Sequence, residues 1–182
     1  MQLDHKTFRR CAGTVFLIGN ITALLTNLVD TNWYQLWSGL LFVTCSISLI
    51  LSSHHHRWLF YCGISTFFAC MLIAVSSPGD GQILTYLSGL AGFTGAFLTL
   101  RAAFQRETHK QYKLPATLSL IDKYPMAASG IIEGTCFFIT TIGALINSDY
   151  RLAIVSFIYV AGYGCLILSD EYFRKALSLR HS

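Results

Sequence analysis

The chain reads as an all-α protein, a polytopic membrane helical bundle of six transmembrane helices arranged as three hairpins, with the N and C termini cytoplasmic. Three observations predict this. First, 53% of the residues are hydrophobic and 12% are charged, with a mean hydropathy of +0.52, whereas charged residues alone make up about 25% of a soluble domain. Second, the apolar residues collect into six runs, each near the roughly 17 to 25 residues that a helix needs to cross a bilayer. Third, twelve of the thirteen Lys and Arg residues fall on one side of those runs and Arg151 alone on the other. Cytoplasmic loops carry the excess of Lys and Arg, so the bias orients the chain. No Gly, Ser or Pro-rich linker separates a second unit, and residues 1–182 are read as a single transmembrane domain.

The first span is expected from about Ala12 to Val29, behind Arg9 and Arg10. It has the charge layout of a signal peptide, but no small-x-small cleavage pattern closes it, so it is expected to stay as a signal anchor. The second span, Tyr34 to Leu51, follows after a connection too short for anything but a tight turn. The third covers Trp58 to Val75 and the fourth Gln82 to Leu100, with Pro78 and Gly79 between them to stop both helices. Residues Arg101 to Lys113 are expected to extend the fourth helix beyond the membrane until Pro115 interrupts it. The apolar patch Thr117 to Ile121 then lies in the interface or forms an ordinary inner loop. The fifth span covers Met126 to Ile146 and the sixth Leu152 to Leu168. Trp33, Trp37, Trp58, Tyr61, Tyr124 and Tyr150 fall at span ends, where amphipathic rings favour the headgroup layer.

An ungapped shift of 117 residues lays the first hairpin on the third, placing Leu49-Ile50-Leu51-Ser52 on Leu166-Ile167-Leu168-Ser169 and Trp33 on Tyr150. Both hairpins start on the inside, so such a repeat is parallel rather than inverted. The middle hairpin follows only the outline.

Glu133 is the most informative residue, because it is the only acid placed at hydrocarbon depth. There it must face the bundle interior, find a partner, bind a cation or take up a proton. Thr140 lies on its face of the fifth span, and Gly130 and Gly134 flank it at close-packing spacing. Asn20 and Asn27 share one face of the first span and need partners in turn. These four polar residues, Glu133, Asn20, Asn27 and Thr140, are the candidates for a substrate or ion site. The plainer reading is a structural carboxyl and ordinary interhelical hydrogen bonds. Ser88, Gly92 and Ala96 recur every fourth residue on the fourth span, a small-residue face for helix packing within the bundle or for an oligomer contact.

Other features point to no chemistry. The six cysteines include no C-x-x-C pair and read as packing residues. His54, His55 and His56 stand together without an acid or thiol, and read as headgroup-level side chains rather than metal ligands. Asp30, Asp80 and Asp149 fall one to each outer turn, as a cation-attracting ring or as ordinary turn residues. No catalytic motif appears, so no enzyme activity, cofactor or metal is expected. The net charge of +4 sits beside the spans and indicates no nucleic acid.

The functional expectation is a transporter, channel or solute-binding membrane subunit for an ion or small solute, with a polar site around Glu133. The alternative is a non-catalytic accessory or assembly subunit of a larger membrane complex. The expected partners are the lipid bilayer and a second copy or partner membrane subunit. Spans of about 18 residues suit a thinner bilayer, a bacterial inner (plasma) membrane before the endoplasmic reticulum.

Overall fold

The computed structural model describes residues 4–27, 33–76, 83–109, 120–171 and 173–174. The elements are α1 (His5–Asn27), α2 (Trp33–Leu51), α3 (Trp58–Ser76), α4 (Ile83–His109), the single turn α5 (Leu120–Lys123), α6 (Pro125–Ile146) and α7 (Tyr150–Leu168). Among the described residues there is no strand. The helices α1, α2, α3, α6 and α7 are long and apolar enough to cross a membrane, and within α4 the described apolar stretch is Gly89–Phe104. This is the make-up of an integral membrane protein.

Most helix ends fall close to the apolar runs, but α1 begins at His5, ahead of the apolar run at Ala12, and α4 continues to His109. The early start of α1 has a physical reason. The carbonyls at a helix C-terminus lack intrahelical partners and carry partial negative charge. Arg9 is buried and its Nη1 donates to the carbonyl of Ser52, 3.3 Å away, just past the end of α2, while Arg10 Nε donates to Ser53 Oγ at 2.8 Å. The α6–α7 connection is closed locally: Ser148 takes a left-handed conformation (φ 57°), and the Asp149 side chain accepts from the Leu152 amide at 3.1 Å as an N-cap. Pro125 opens α6 at a position where a missing amide hydrogen is harmless.

The long helices form a closed ring, with α1 on α2, α2 on α3, α3 on α4, α4 on α6, α6 on α7 and α7 back on α1. Small residues hold the seams. Ala12, Ala69, Ala96, Ser46, Ser129 and Ser156 are almost fully buried, whereas Ile18, Phe68, Phe97, Phe138 and Phe157 point outward. Helices in lipid gain little from burying large apolar side chains against each other, and associate where small residues let backbones approach.

Within the ring, the pairs α1–α2, α3–α4 and α6–α7 repeat the same contacts. A Cβ on Gly13 would meet Ile50, one on Gly63 would meet Leu100 and one on Gly130 would meet Ile167, each with a side-chain atom at 2.6 Å, and each partner lies 37 positions further along the chain. The seams between pairs repeat too. Cys45 of α2 touches Thr66 of α3 (Sγ to Oγ1, 3.0 Å), Gly95 of α4 receives the Glu133 side chain of α6, and Gly162 of α7 receives the Phe16 ring of α1. Cys45, Gly95 and Gly162 are register equivalents, as are Thr66, Glu133 and Phe16. The repeat expected between the first and third pairs therefore extends to the middle pair, at a shift of 50 residues from the first.

Candidate functional site

Glu133 is 8% exposed, and its carboxyl is held from two helices. Ser129, one turn earlier on α6, donates from Oγ to Oε1 at 2.9 Å, and Tyr163 of α7 donates from its hydroxyl to Oε2 at 2.5 Å. Gly95 of α4 closes the third side, since any Cβ there would overlap the carboxyl oxygen. Gly130 and Gly134 bring α6 onto α7 at Tyr163 and Ile167, which sets the reach of the tyrosine hydroxyl. Among the described residues no Lys, Arg or His forms an ion pair with Glu133.

Asn20 of α1 is 6% exposed and belongs to a second polar group. Its Nδ2 donates to Ser46 Oγ at 2.9 Å and to the Phe42 carbonyl at 3.2 Å, and its Oδ1 accepts from the Tyr159 hydroxyl of α7. A third group lies between α2 and α3, where the thiols of Cys45 and Cys62 stand 3.2 Å apart and Cys45 touches Thr66. Phe137 links the first two groups, stacking on Tyr159 at 4.7 Å and on Tyr163 at 5.5 Å between ring centroids. Phe16 packs edge-on against Tyr163 at 4.7 Å.

These groups surround one central cavity of about 260 Å³, to which all six long helices contribute. Glu133, Asn20 and Thr140 all line it, so three of the four predicted polar residues come together. Thr140 contributes little polarity of its own, because its hydroxyl donates to the Cys136 carbonyl one turn back. Asn27 is in the last turn of α1, and its side chain lies outside the described residues, as does that of Ser88. Ala96 is fully buried, and Gly92 lines the cavity with its Cα against the Cys70 thiol. Both lie inside the ring.

Four of the six cysteines, Cys45, Cys62, Cys70 and Cys136, are also in the cavity wall, a position that their scattered spacing does not announce. The three consecutive histidines do not converge: His54 Nε2 faces Arg10 at 3.1 Å, and His56 Nε2 lies 3.2 Å from the carbonyls of Ala102 and Ala103. Among the described residues no three His, Cys, Asp or Glu side chains are placed to hold a metal. Of the three outer acids, Asp149 caps α7, and Asp30 and Asp80 lie outside the described residues.

The residues that sequence reasoning missed are the partners, Tyr163, Ser129 and Gly95 for Glu133, and Tyr159 and Ser46 for Asn20. Ser129 stands one helical turn before Glu133 and carried a readable signal. The others come from other helices, Tyr163 and Ser46 from the next helix in the chain and Gly95 and Tyr159 from helices further away. The chain matches no protein family model, no curated protein and no solved structure.

Proposed function

We propose that the protein is a small transporter, channel or solute-binding membrane subunit whose interior site is the cavity at Glu133. In this reading the six long helices are six spans in three parallel hairpins, and both termini are cytoplasmic, an orientation that the Lys and Arg distribution supports. The observation that carries the reading is a carboxyl on the wall of a cavity shared by all six helices. A purely structural carboxyl would be enclosed by its partners. Glu133 has two donors and the Gly95 backbone against it and still lines the cavity, which supports a site that receives something.

The three equivalent pairs place Thr66 and Phe16 at the positions corresponding to Glu133. The charge thus enters one of three similar seams, giving a single polarised site in an otherwise repeated wall. No step of bond chemistry is assigned to the site. The accessory-subunit reading calls for an outward small-residue groove on α4, and the inward placement of Gly92 and Ala96 lends it no support. A bacterial inner membrane remains the favoured location, on span length alone.

The test is purified protein in liposomes, with ion, proton and small-solute flux compared between wild type and Glu133→Gln. Flux in the wild type that is lost in the variant supports the reading. A silent wild type in correctly folded form turns it toward a scaffold in the bilayer.

A further inference from the structure

We infer that the cavity binds a small organic ammonium ion, with the charged nitrogen on Glu133 and the apolar part against the aromatic wall. The inference rests on the reading of this cavity as a solute site. Among the described residues Glu133 is the one charged side chain in the wall, and a buried carboxylate without a counter-charge is unfavourable enough that a positive ligand is the complementary one.

Hydrogen-bond polarity narrows the chemistry further. The hydroxyls of Ser129 and Tyr163 are directed to Glu133, that of Tyr159 to Asn20, and the Asn20 amide hydrogens to Ser46 and Phe42. These donors are already engaged within the protein. A carboxylate has about four lone-pair sites, and Ser129 and Tyr163 fill two, so Glu133 still accepts while the donors in contact with it are engaged. A ligand bound there has to bring its own N–H or C–H donors, as an ammonium does. The rings of Phe16, Phe137, Tyr159 and Tyr163 also line the cavity, and aromatic faces attract ammonium groups by their quadrupole. A bare metal ion fits less well, because it needs several converging ligands and the wall supplies one carboxyl. The cavity volume of about 260 Å³ lies just under the roughly 300 to 1,000 Å³ of drug-sized sites, which limits the ligand to a few carbons.

The experiment is calorimetric titration of the detergent-purified protein with tetramethylammonium chloride, with tert-butanol as the neutral analogue of similar shape and sodium chloride as the inorganic cation. We expect saturable tetramethylammonium binding that excess sodium does not displace, no binding of tert-butanol, and affinity weakened about tenfold or more in Glu133→Gln and to a smaller extent in Phe137→Leu. Equal binding of tert-butanol, displacement by equimolar sodium, undiminished affinity in folded Glu133→Gln, or no binding to folded wild type would each overturn the inference. The three wild-type titrations need no variant, so a misfolded substitution leaves the test intact. Glu133-dependent flux of inorganic cations without ammonium binding would sink this inference and leave the transport reading standing. Ammonium binding without any flux would uphold the inference and narrow the proposed function from transporter or channel to a solute-binding subunit.

Discussion

The carboxyl of Glu133 rests on the Cα of Gly95, in the space that the Cβ of any other residue would occupy. Two helices that are not joined by a short turn, α4 and α6, therefore meet at a point where one contributes an acid and the other contributes the absence of a side chain.

Gly95→Ala should displace the carboxyl from Ser129 and Tyr163. A hydrogen bond to a charged group is worth about 1.5 to 3 kcal/mol, less where the membrane-unfolded state finds other partners. We expect a stability loss of about 1 to 2 kcal/mol, read by thermal unfolding in detergent, together with a loss of flux comparable to Glu133→Gln. An Ala variant as stable and as active as wild type would show that the contact has no consequence.

Tyr163→Phe removes one of the two donors while keeping the ring that stacks on Phe137 and Phe16. Combined with Glu133→Gln in a double-mutant cycle, it should show a coupling of about 1 kcal/mol or more, since residues sharing a hydrogen bond are not additive. Additive effects would mean that the tyrosine hydroxyl stabilises the bundle independently of the acid.

The repeated crossings make a prediction with its own control. Alanine at Gly13, Gly63 or Gly130 meets a neighbouring side chain at 2.6 Å and backbone atoms of the facing helix at 2.9 to 3.2 Å, so each should cost about 1 to 3 kcal/mol through overpacking. Gly89, Gly143 and Gly164 have nothing within 4 Å of the added carbon. Alanine at those positions should be neutral or stabilise by up to about 1 kcal/mol. The two sets of melting temperatures separate cleanly if the ring is packed as described, and overlap if it is not.

Five of the long apolar helices were legible as candidate spans because the run length a bilayer calls for appears directly in the chain. Glu133 was legible for the converse reason, as a lone acid in such a run. The early start of α1 was not, because Arg9 and Arg10 look like the end of a span until the exposed carbonyls of α2 are seen to need them. Tyr163 and Gly95 were hidden because nothing in a helix's own periodicity says which residue of another helix it will face. The threefold repeat left a trace in Gly13, Gly63 and Gly130, but the matching partners Ile50, Leu100 and Ile167 are ordinary apolar residues. Without the contacts between them, they cannot be told from any other Leu or Ile in a span.

Orientation is a separate prediction. A reporter fused after Ser182 should read as cytoplasmic, and one inserted at Asn147 between α6 and α7 as external. The Lys and Arg asymmetry supports this arrangement, and the opposite pair of signals would invert the topology while leaving the ring untouched.

The most direct test of the central claim, that Glu133 polarises a cavity reached by solute, is the reactivity of Cys70 in a protein with its other cysteines replaced by serine or alanine. Cys70 is buried in α3 and lines the same cavity as Glu133, whereas Cys11 is exposed and serves as the control when retained alone. The account predicts that a small cationic methanethiosulfonate labels Cys70 from water faster than a neutral reagent of the same size, and that Glu133→Gln abolishes the preference. A Cys70 that stays unlabelled while Cys11 reacts, or that reacts without regard to reagent charge, would contradict it.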